Sequence, residues 1–486
     1  MIGPGPTESA ERLIFVQTNS LPMRATPPGP AGVPVFGNSR QYARDPFTFL
    51  ASVEAAYGDV AQFDLGPLET YLLGNPRDIE RVLVTDAAKY SKPDFQDDAI
   101  GTLLGDGLLL SEGETWRRQR QLAQPAFAPD RIAAMGDVIA RHTEGMLADW
   151  EDGDVRDVHL DMARVTVRII VEAMFGSRLT DEQTRRVQEN LEPLGRRFEP
   201  NPARFLVPDW VPTRENRAYH DSVEILEGII DDVVAERLGT ERDPAADPAH
   251  DAPVGMAADS AAGNDEPMDL LSILLRARER GEQTQKQLRD ELMTMLLAGH
   301  DTTALTLTYA WYLLSEHPTA EDRLHEELAE VCGDDPPTAA DVRDLDYLER
   351  VIQESMRLYP PVYVIFREPK IDVELGGYRV PEGSAVMLSQ WATHRSERWY
   401  DDPEAFDPDR WLPERRAERP RFAYFPFGGG PRHCIGKHLS MLEAKLILGT
   451  VAQRYELDYV GDGPLELRGS LTMHPADPME MRLRAR

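Results

Sequence analysis

Apolar residues recur every three to four positions along most of this chain, which is the spacing of one face of an α-helix. The longest such stretches are residues 132–150, 155–175, 219–238 and 288–315. Segments with the two-residue alternation of a strand are few and short. They lie at residues 60–63, 70–73, 373–380 and 385–388, with a further hairpin expected after residue 455. The pattern predicts a mainly α-helical body with small β-sheets, which is an α+β fold class.

Two regions lack this periodicity. Residues 1–26 precede a Pro- and Gly-rich stretch, and we expect them to be an N-terminal extension to one domain over residues 27–486. Residues 243–267 are rich in Ala, Asp, Pro and Gly, which predicts a mobile acidic loop. No stretch reaches the roughly 20 apolar residues of a membrane-spanning helix, and no signal-peptide pattern is visible. We therefore expect a soluble, cytoplasmic protein without a membrane anchor.

The charge of the chain narrows the choice of partners. The 486 residues include 53 Lys and Arg against 84 Asp and Glu, a formal net charge of −31 at pH 7. Such a surface repels phosphates, so we expect no nucleic-acid partner. A Lys-poor, acidic surface suits a halophilic source, because salt screens the self-repulsion; a GC-rich genome is the alternative explanation. Two cysteines are too few for a disulfide scaffold or a four-thiolate site.

The most informative segment surrounds Cys434. Residues 425–436 read FPFGGGPRHCIG, and the three glycines permit a tight backbone and the close approach of a flat ligand. A periodic apolar stretch follows over residues 437–454, so Cys434 is expected just before a helix N-terminus. The helix dipole and free backbone N–H groups there favour thiolate over thiol, and such a thiolate can ligate a haem iron. A buried structural cysteine is the alternative.

The spacing Phe427-x-x-Gly430-x-Arg432-x-Cys434-x-Gly436 resembles the haem-binding signature of the cytochromes P-450. The resemblance implies the cytochrome P-450 fold of the soluble microbial type, with haem b between a long central helix and the cysteine-bearing loop and helix. It implies that Cys434 is the axial metal ligand and that Arg432 binds a haem propionate. It also implies that Phe427 packs near the sulfur and that Gly436 belongs to the cofactor-binding segment.

The predicted helix over residues 288–315 has poor helix formers at its centre, where Ala298, Gly299, Asp301 and Thr302 lie. Thr302 can hydrogen-bond to the carbonyl of Ala298, four residues earlier, and loosen the helix. The run resembles the oxygen-activating motif of the family. The resemblance implies that Ala298 and Gly299 lie against the haem and that Asp301 and Thr302 are catalytic, passing protons. A Thr-rich core helix with a solvated Asp is the alternative.

Glu354 and Arg357 share one face of a helix predicted to begin near Asp346. By resemblance they form a structural network with Arg410 behind the haem, since both arginines can bind a carboxylate in bidentate geometry. Alone, a Glu-x-x-Arg pair is commonplace and usually lies at the surface.

Trp116 and Arg120 are four residues apart and share a helical face. The resemblance implies that they hydrogen-bond a haem propionate, and that Arg367 supplies another propionate contact. A basic turn that faces solvent is the alternative, and we favour it for Arg117 and Arg118.

The order of these motifs matches the family over roughly residues 27–480. The resemblance implies a monooxygenase that inserts one atom of O2 into a C–H or C=C bond of a fatty acid, terpenoid or steroid. The expected walls of the apolar pocket are Val362, Val364, Ile365, Phe366 and Leu471.

We expect no fused reductase and no dinucleotide-binding fold. Electrons would then come indirectly from NAD(P)H through a ferredoxin or flavodoxin partner. A haem-thiolate peroxygenase or isomerase, and a non-catalytic haem-based ligand sensor, are the alternatives.

Overall fold

The computed structural model describes residues 26–197, 199, 211–239 and 269–486. The predicted acidic loop at residues 243–267 and all but the last residue of the predicted N-terminal extension lie outside the described residues. Helices make up most of the described chain, and the strands are short. The predicted α+β class is therefore confirmed.

Ten α-helices are described before residue 240: α1 (Ser39–Arg44), α2 (Pro46–Tyr57), α3 (Pro76–Glu80), α4 (Asp94–Leu104), α5 (Gly113–Ala123), α6 (Pro129–Ala134), α7 (Gly136–Leu147), α8 (Val158–Phe175), α9 (Asp181–Arg197) and α10 (Arg214–Leu238). Seven are described from residue 269 onward: α11 (Leu270–Glu279), α12 (Gln285–Glu316), α13 (Pro318–Val331), α14 (Asp346–Leu358), α15 (Gln390–His394), α16 (Pro413–Ala417) and α17 (Lys437–Ala452).

The central helix α12 has 32 residues and is roughly 48 Å long at about 1.5 Å per residue. It begins three residues before the predicted stretch, because Thr284 and Gln287 form a reciprocal capping box. The predicted helix over residues 132–150 is instead two helices that meet at Met135. The first three residues of the stretch at 155–175 form a strand, and α8 starts after Asp157, whose side chain caps it.

The described strands form four small sheets. The largest has the order β1 (Val60–Leu65), β2 (Leu68–Leu73), β8 (Ala385–Ser389), β5 (Val364–Pro369) and β3 (Tyr90–Ser91). The other three consist of β4 (Val155–Asp157), β12 (Glu480–Ala485) and β9 (Tyr455–Tyr459); β6 (Val373–Leu375) and β7 (Tyr378–Val380); and β10 (Leu467–Gly469) and β11 (Met473–Pro475). All strands predicted from the alternating pattern are present.

The main hydrophobic core surrounds α12, which packs against α8, α10, α14 and α17. Residues such as Leu292, Leu307 and Trp311 of α12 are fully buried. Burial of this kind on several faces is typical of a helix at the centre of a large domain. Within the described part of the chain, no helix combines the length and apolarity needed to cross a membrane.

Candidate functional site

The loop before α17 folds back on itself and carries Cys434 near its end. The Cys434 backbone N–H donates to the Phe427 carbonyl at 3.0 Å. Gly430 has a φ of +65°, and a Cβ at this position would lie 1.9 Å from the Leu83 carbonyl oxygen, so only glycine fits. Cys434 has accessible surface, yet protein atoms enclose it on most sides, so it borders an interior space.

The Cys434 sulfur accepts hydrogen bonds from the backbone N–H groups of Gly436 and Lys437 at the start of α17. Burial nevertheless raises the pKa of the thiol, and these N–H groups and the charges of Arg120 and Lys437 offset this only in part. The backbone N–H groups at the helix N-terminus thus favour the thiolate, as the sequence suggests, but burial outweighs them. A metal ion deprotonates a coordinated thiol, so bonding to iron would supply the stabilisation that the protein lacks.

The surroundings of α12 change at its centre. Residues 291–296 and 303–314 are buried, but Ala298 is exposed and Thr302, one turn further on, is half-buried. The Thr302 hydroxyl donates to the Ala298 carbonyl at 3.1 Å, which loosens a helix locally. The accessible part of α12 therefore coincides with the motif that the sequence singles out.

Neighbouring helices hold this motif in place. A Cβ on Gly299 would lie 2.7 Å from Ile170 Cδ1, so α8 approaches closely here. Thr303 Oγ1 lies 3.0 Å from Ser440 Oγ of α17. Because Ser440 follows Cys434 by six residues, this hydrogen bond joins the motif of α12 to the helix that follows the cysteine loop.

Asp301 contacts residues that the sequence reasoning did not identify. Its Oδ2 atom accepts a hydrogen bond of 2.7 Å from Thr472 Oγ1 and lies 3.5 Å from His474 Nε2. Burial raises the pKa of Asp301, but the neighbouring His474 and the Thr472 hydroxyl outweigh it and hold this pKa below its usual range. Asp301 is therefore ionised, and it is linked to the β10–β11 hairpin.

Arg432 is held by three residues on the other side of the cysteine loop. Its Nη2 atom donates to the Ser111 carbonyl and to Glu112 Oε2, each at 2.8 Å. Its guanidinium also lies 4.6 Å from the centre of the Trp116 ring. Trp116 therefore packs against Arg432, whereas the sequence reasoning paired it with Arg120.

Arg120 and Arg367 hydrogen-bond to backbone carbonyls. Arg120 Nη1 donates to the His433 carbonyl at 3.0 Å, directly before the cysteine. Arg367 Nη1 donates to the Phe366 carbonyl at 2.7 Å. Burial lowers the pKa of Arg367 to about 10, and the nearby charge of Arg432 acts in the same direction.

These side chains fit a haem b group. Burial lowers the pKa of Arg120, Arg367 and Arg432 alike, and Glu112 is their one ion-pair partner among the described residues. This excess of half-buried positive charge suits two propionates. The Cys434 sulfur is the type of ligand that holds the iron of a haem-thiolate centre. In the described ranges, no group of three His, Cys, Asp or Glu side chains could hold a metal without a porphyrin.

Glu354 lies at the centre of a fully buried cluster. Arg357 donates to both of its carboxylate oxygens at 2.8 and 2.9 Å, and Arg410 donates to Oε1 at 3.1 Å. The Trp411 indole donates to Oε2 at 2.9 Å. Remaining N–H groups of the two arginines bind backbone carbonyls of residues 394–405. The cluster thus ties α14 to the end of α15 and to the chain that follows it.

His394 connects this cluster to the cysteine loop. Its carbonyl accepts from Arg357 Nη1 at 2.9 Å, and its Nε2 atom accepts from the Phe425 backbone N–H at 3.1 Å. Burial and the charges of Arg357 and Arg395 lower the pKa of His394 well below its usual value, so its ring is neutral. The neutral ring can therefore accept the hydrogen bond that positions the first residue of the loop.

Strand β5 presents apolar side chains beside the site. Its residues from Val364 to Glu368 are all half-buried. Val364 and Phe366 share one face of the strand and Ile365 lies on the other. The Phe366 ring makes an edge-to-face contact with Phe95, 5.2 Å between centroids. A Cβ on Gly428 would lie 3.7 Å from Ile365 Cδ1, so Ile365 borders the cysteine loop.

The remaining candidate pocket residues lie at two other positions. Val362 is half-buried and lies two residues before the start of β5. Leu471 lies in the turn between β10 and β11 and is 42% exposed. It precedes Thr472, which contacts Asp301, so the tip of this hairpin lies next to α12.

Comparisons with known proteins agree with this geometry. The cytochrome P-450 family model matches residues 27–480. Cyclooctatin synthase of Streptomyces melanosporofaciens is 34% identical over 458 residues, which cover 93% of this chain and 94% of that protein. Pentalenene oxygenase of Streptomyces avermitilis is 30% identical over 466 residues, with 94% and 97% covered. Cyclooctat-9-en-7-ol 5-monooxygenase of Streptomyces melanosporofaciens is 34% identical over 439 residues, with 88% of each covered.

The chain belongs to the cytochrome P-450 family. It is an oxidoreductase of the monooxygenase type. The family and the enzyme class predicted from the motifs are confirmed. A protein of this class uses haem iron, O2, a redox partner and an apolar substrate.

Proposed function

We propose that this monooxygenase oxidises a C–H or C=C bond of a terpenoid, and that the Cys434 sulfur would hold the iron of haem b. The observation that carries the proposal is the hydrogen bond between Thr303 and Ser440. It brings the accessible acid–hydroxyl motif of α12 together with the helix of the cysteine loop. The names of two relatives, cyclooctat-9-en-7-ol 5-monooxygenase and pentalenene oxygenase, denote terpenoid oxygenation and favour that substrate class.

Bound haem would supply the redox chemistry of O2 reduction and substrate oxidation. The protein holds and orients it: Arg120, Arg367 and Arg432 would bind the propionates, with Trp116 packed against Arg432. The buried cluster around Glu354 holds the chain that leads into the cysteine loop. This division of roles leaves α12 to handle protons.

Asp301 and Thr302 are the groups proposed to pass protons into the site. Thr302 donates its one hydroxyl proton to Ala298, so its oxygen lone pairs remain free to accept. Asp301 is ionised, so its carboxylate can accept a proton and pass it on during turnover. Retention of this pair supports a monooxygenase that reduces O2 over the peroxygenase and sensor alternatives.

An apolar wall is proposed to bind the terpenoid. Val364, Phe366 and Phe95 provide apolar surface without a charged group, and Ile365 extends it towards the cysteine loop. A hydrocarbon skeleton gains binding energy from burial against such a wall. The same surface gives few hydrogen bonds, so shape sets the selectivity.

The electron donor is proposed to be a ferredoxin or flavodoxin that carries electrons from NAD(P)H. Arg117 and Arg118 are exposed on α5, the helix whose Arg120 contacts the residue before Cys434. Lys437 is exposed at the start of α17. These cations lie beside the cysteine loop of a chain with net charge −31, and they offer an acidic partner a local attractive patch.

A substrate screen tests the proposal. Ferric protein is titrated with terpenes, fatty acids and steroids, and displacement of the Soret band reports binding. Binding ligands are then incubated with NAD(P)H, ferredoxin and ferredoxin reductase. We expect an oxygenated terpenoid whose formation requires NAD(P)H and O2. Product formation with peroxide only, rearrangement without NAD(P)H, or binding without turnover would instead indicate the peroxygenase, the isomerase or the sensor.

A further inference from the structure

Three histidines lie around Asp301, but one of them alone is linked to it by a hydrogen-bonded chain. His474 Nε2 lies 2.8 Å from Thr472 Oγ1, and Thr472 Oγ1 lies 2.7 Å from Asp301 Oδ2. His159 lies edge-on to His474, 5.6 Å between ring centroids. His300 hydrogen-bonds instead to the Leu296 carbonyl, at 2.6 Å.

The number of available hydrogens fixes which group donates in each hydrogen bond between His474, Thr472 and Asp301. An ionised carboxylate can only accept hydrogen bonds, and a threonine hydroxyl has one hydrogen. Thr472 must therefore donate to Asp301, and its oxygen accepts from His474 Nε2–H. The chain runs from His474 through Thr472 to Asp301, which is the direction that proton delivery to α12 requires.

The other titratable and charged groups facing this chain do not compete for its proton. Burial lowers the pKa of His159 to about 4 and also lowers the pKa of His300, so both rings are neutral at pH 7. His159 is hydrogen-bonded to a different residue, Thr308. The Thr308 hydroxyl donates its one hydrogen to the Ala304 carbonyl at 2.7 Å. The Thr308 oxygen, 3.2 Å from His159 Nδ1, therefore accepts from His159 Nδ1–H.

Two further groups complete these surroundings. Arg468 lies opposite His474 in the β10–β11 pairing. Burial raises the pKa of Tyr309 well above its usual value, and its hydroxyl donates to the Met473 carbonyl at 2.6 Å. His474 keeps 19% of its side-chain surface accessible, so it can exchange protons with water.

We propose that His474 and Thr472 are positioning residues that reload Asp301 with protons during turnover. The inference rests on the proposed function, because a proton is consumed only when the enzyme reduces O2. Asp301 is ionised and does not store a proton, so it needs a donor. Of the three histidines, His474 is the one that is hydrogen-bonded towards Asp301 through Thr472, and its side chain keeps accessible surface.

The proposed step is a concerted transfer. The Nε2–H bond of protonated His474 breaks as its proton forms a bond to Thr472 Oγ1. The hydroxyl proton of Thr472 forms a bond to Asp301 Oδ2 at the same time. His474 is left neutral and regains a proton from a hydronium ion or buffer acid of the solvent, so charge and atoms balance.

Variants that keep the hydrogen bond but block the transfer separate this role from a structural one. His474→Gln retains an N–H donor for Thr472 and cannot pass a proton on. Thr472→Val removes the hydroxyl, and Thr472→Ser restores it. We expect His474→Gln and Thr472→Val to lower product formed per NAD(P)H about tenfold, with rescue in Thr472→Ser. Full coupling in His474→Gln would overturn the proposal.

The matched control is His142→Gln, which removes a histidine paired with Glu172 at 2.8 Å on a different surface. It is expected to leave coupling unchanged. Each variant is first checked for the carbon-monoxide difference band, so loss of haem is recognised separately. Asp301→Asn separates the proton role of Asp301, which belongs to the proposed function, from its reloading by His474. Normal coupling in Asp301→Asn would refute the proton role of Asp301. Uncoupling in Asp301→Asn with full coupling in His474→Gln refutes the present inference alone.

The tautomer of His474 provides a readout independent of turnover. In a 15N–1H spectrum of the reduced, carbon-monoxide-bound protein, the His474 signals are identified by their loss in His474→Gln. We expect a proton on Nε2, whether or not Nδ1 also carries one. A ring protonated on Nδ1 alone would reverse the chain and overturn the proposal.

Discussion

The Glu291 carboxylate accepts a hydrogen bond of 2.6 Å from the backbone N–H of Leu108, 183 residues earlier in the chain. The adjacent Asp290 accepts one of 2.9 Å from the Asp106 backbone N–H. Both acids lie on α12, about two turns before Ala298. The loop over residues 105–108 is therefore fastened to the central helix close to the candidate site.

This relationship predicts a pH-dependent stability. Burial raises the pKa of Glu291 to about 7, above its value in the unfolded chain. The folded state therefore binds a proton on Glu291 more tightly than the unfolded chain does. This proton binding stabilises the folded state fully below about pH 4.5, and the stabilisation is lost as pH rises through 7. Relative to Glu291→Gln, the wild type should lose about 3 kcal/mol of unfolding free energy between pH 4.5 and 8.

Urea unfolding at several pH values measures this difference. The control is Glu316→Gln, at the exposed end of the same helix, which should follow the wild type at every pH. A Glu291→Gln variant whose stability declines with pH as steeply as the wild type would refute the assignment.

The buried cluster around Glu354 predicts a large loss of stability when its charge is removed. Glu354→Gln leaves the guanidinium groups of Arg357 and Arg410 buried without a counter-charge, which costs about 3–5 kcal/mol. Urea unfolding and the yield of haem-loaded protein check this. Glu397→Gln, at a nearby exposed position, should change stability by less than about 0.5 kcal/mol. Equal stability of the two variants would contradict a structural role for Glu354.

Thr302→Ala is predicted to uncouple electron use from product formation. The variant removes an accessible hydroxyl from the motif, so protons reach the site less efficiently and reducing equivalents end as peroxide. Product per NAD(P)H should fall about tenfold, measured together with peroxide released. Thr306→Ala removes a buried hydroxyl that donates to the Thr302 carbonyl at 2.8 Å and should stay coupled. Coupled turnover in Thr302→Ala would remove this residue from the mechanism.

Charge reversal on α5 is predicted to weaken docking of the electron donor. Arg118→Glu should raise the KM for ferredoxin about tenfold at low ionic strength, and the difference should shrink as salt is added. Arg214→Glu reverses an exposed charge at the start of α10 and serves as the control. Equal KM values for Arg118→Glu and the wild type would place the docking surface elsewhere.

Local spacing explains what could be predicted from the sequence. Helix α14 begins at the predicted Asp346, and α12 and the strands β1, β2 and β8 lie close to where periodicity places them. Glu354 and Arg357 meet because residues three apart share a helical face. The family motifs added Arg410, which is 56 residues from Glu354 and shares no local pattern with it.

Long-range contacts explain what could not be predicted. Thr472 meets Asp301 across 171 residues, and both strands of its hairpin have three residues, too few for a clear pattern. The packing of Trp116 on Arg432 depends on how α5 meets the cysteine loop. The direction in which the pKa of the Cys434 thiol shifts also depends on burial. Burial raises this pKa by more than the helix N-terminus, which the sequence predicts, lowers it.

The most direct test is the carbon-monoxide difference spectrum of the reduced protein, which reports thiolate ligation of haem iron. The wild type and Cys332→Ser, which replaces the other cysteine, should both show the band that gives the family its name. Cys434→Ser should lose the band while its far-ultraviolet circular dichroism stays that of a folded helical protein. A full band in Cys434→Ser, or its absence from haem-reconstituted wild-type protein, would contradict ligation by Cys434.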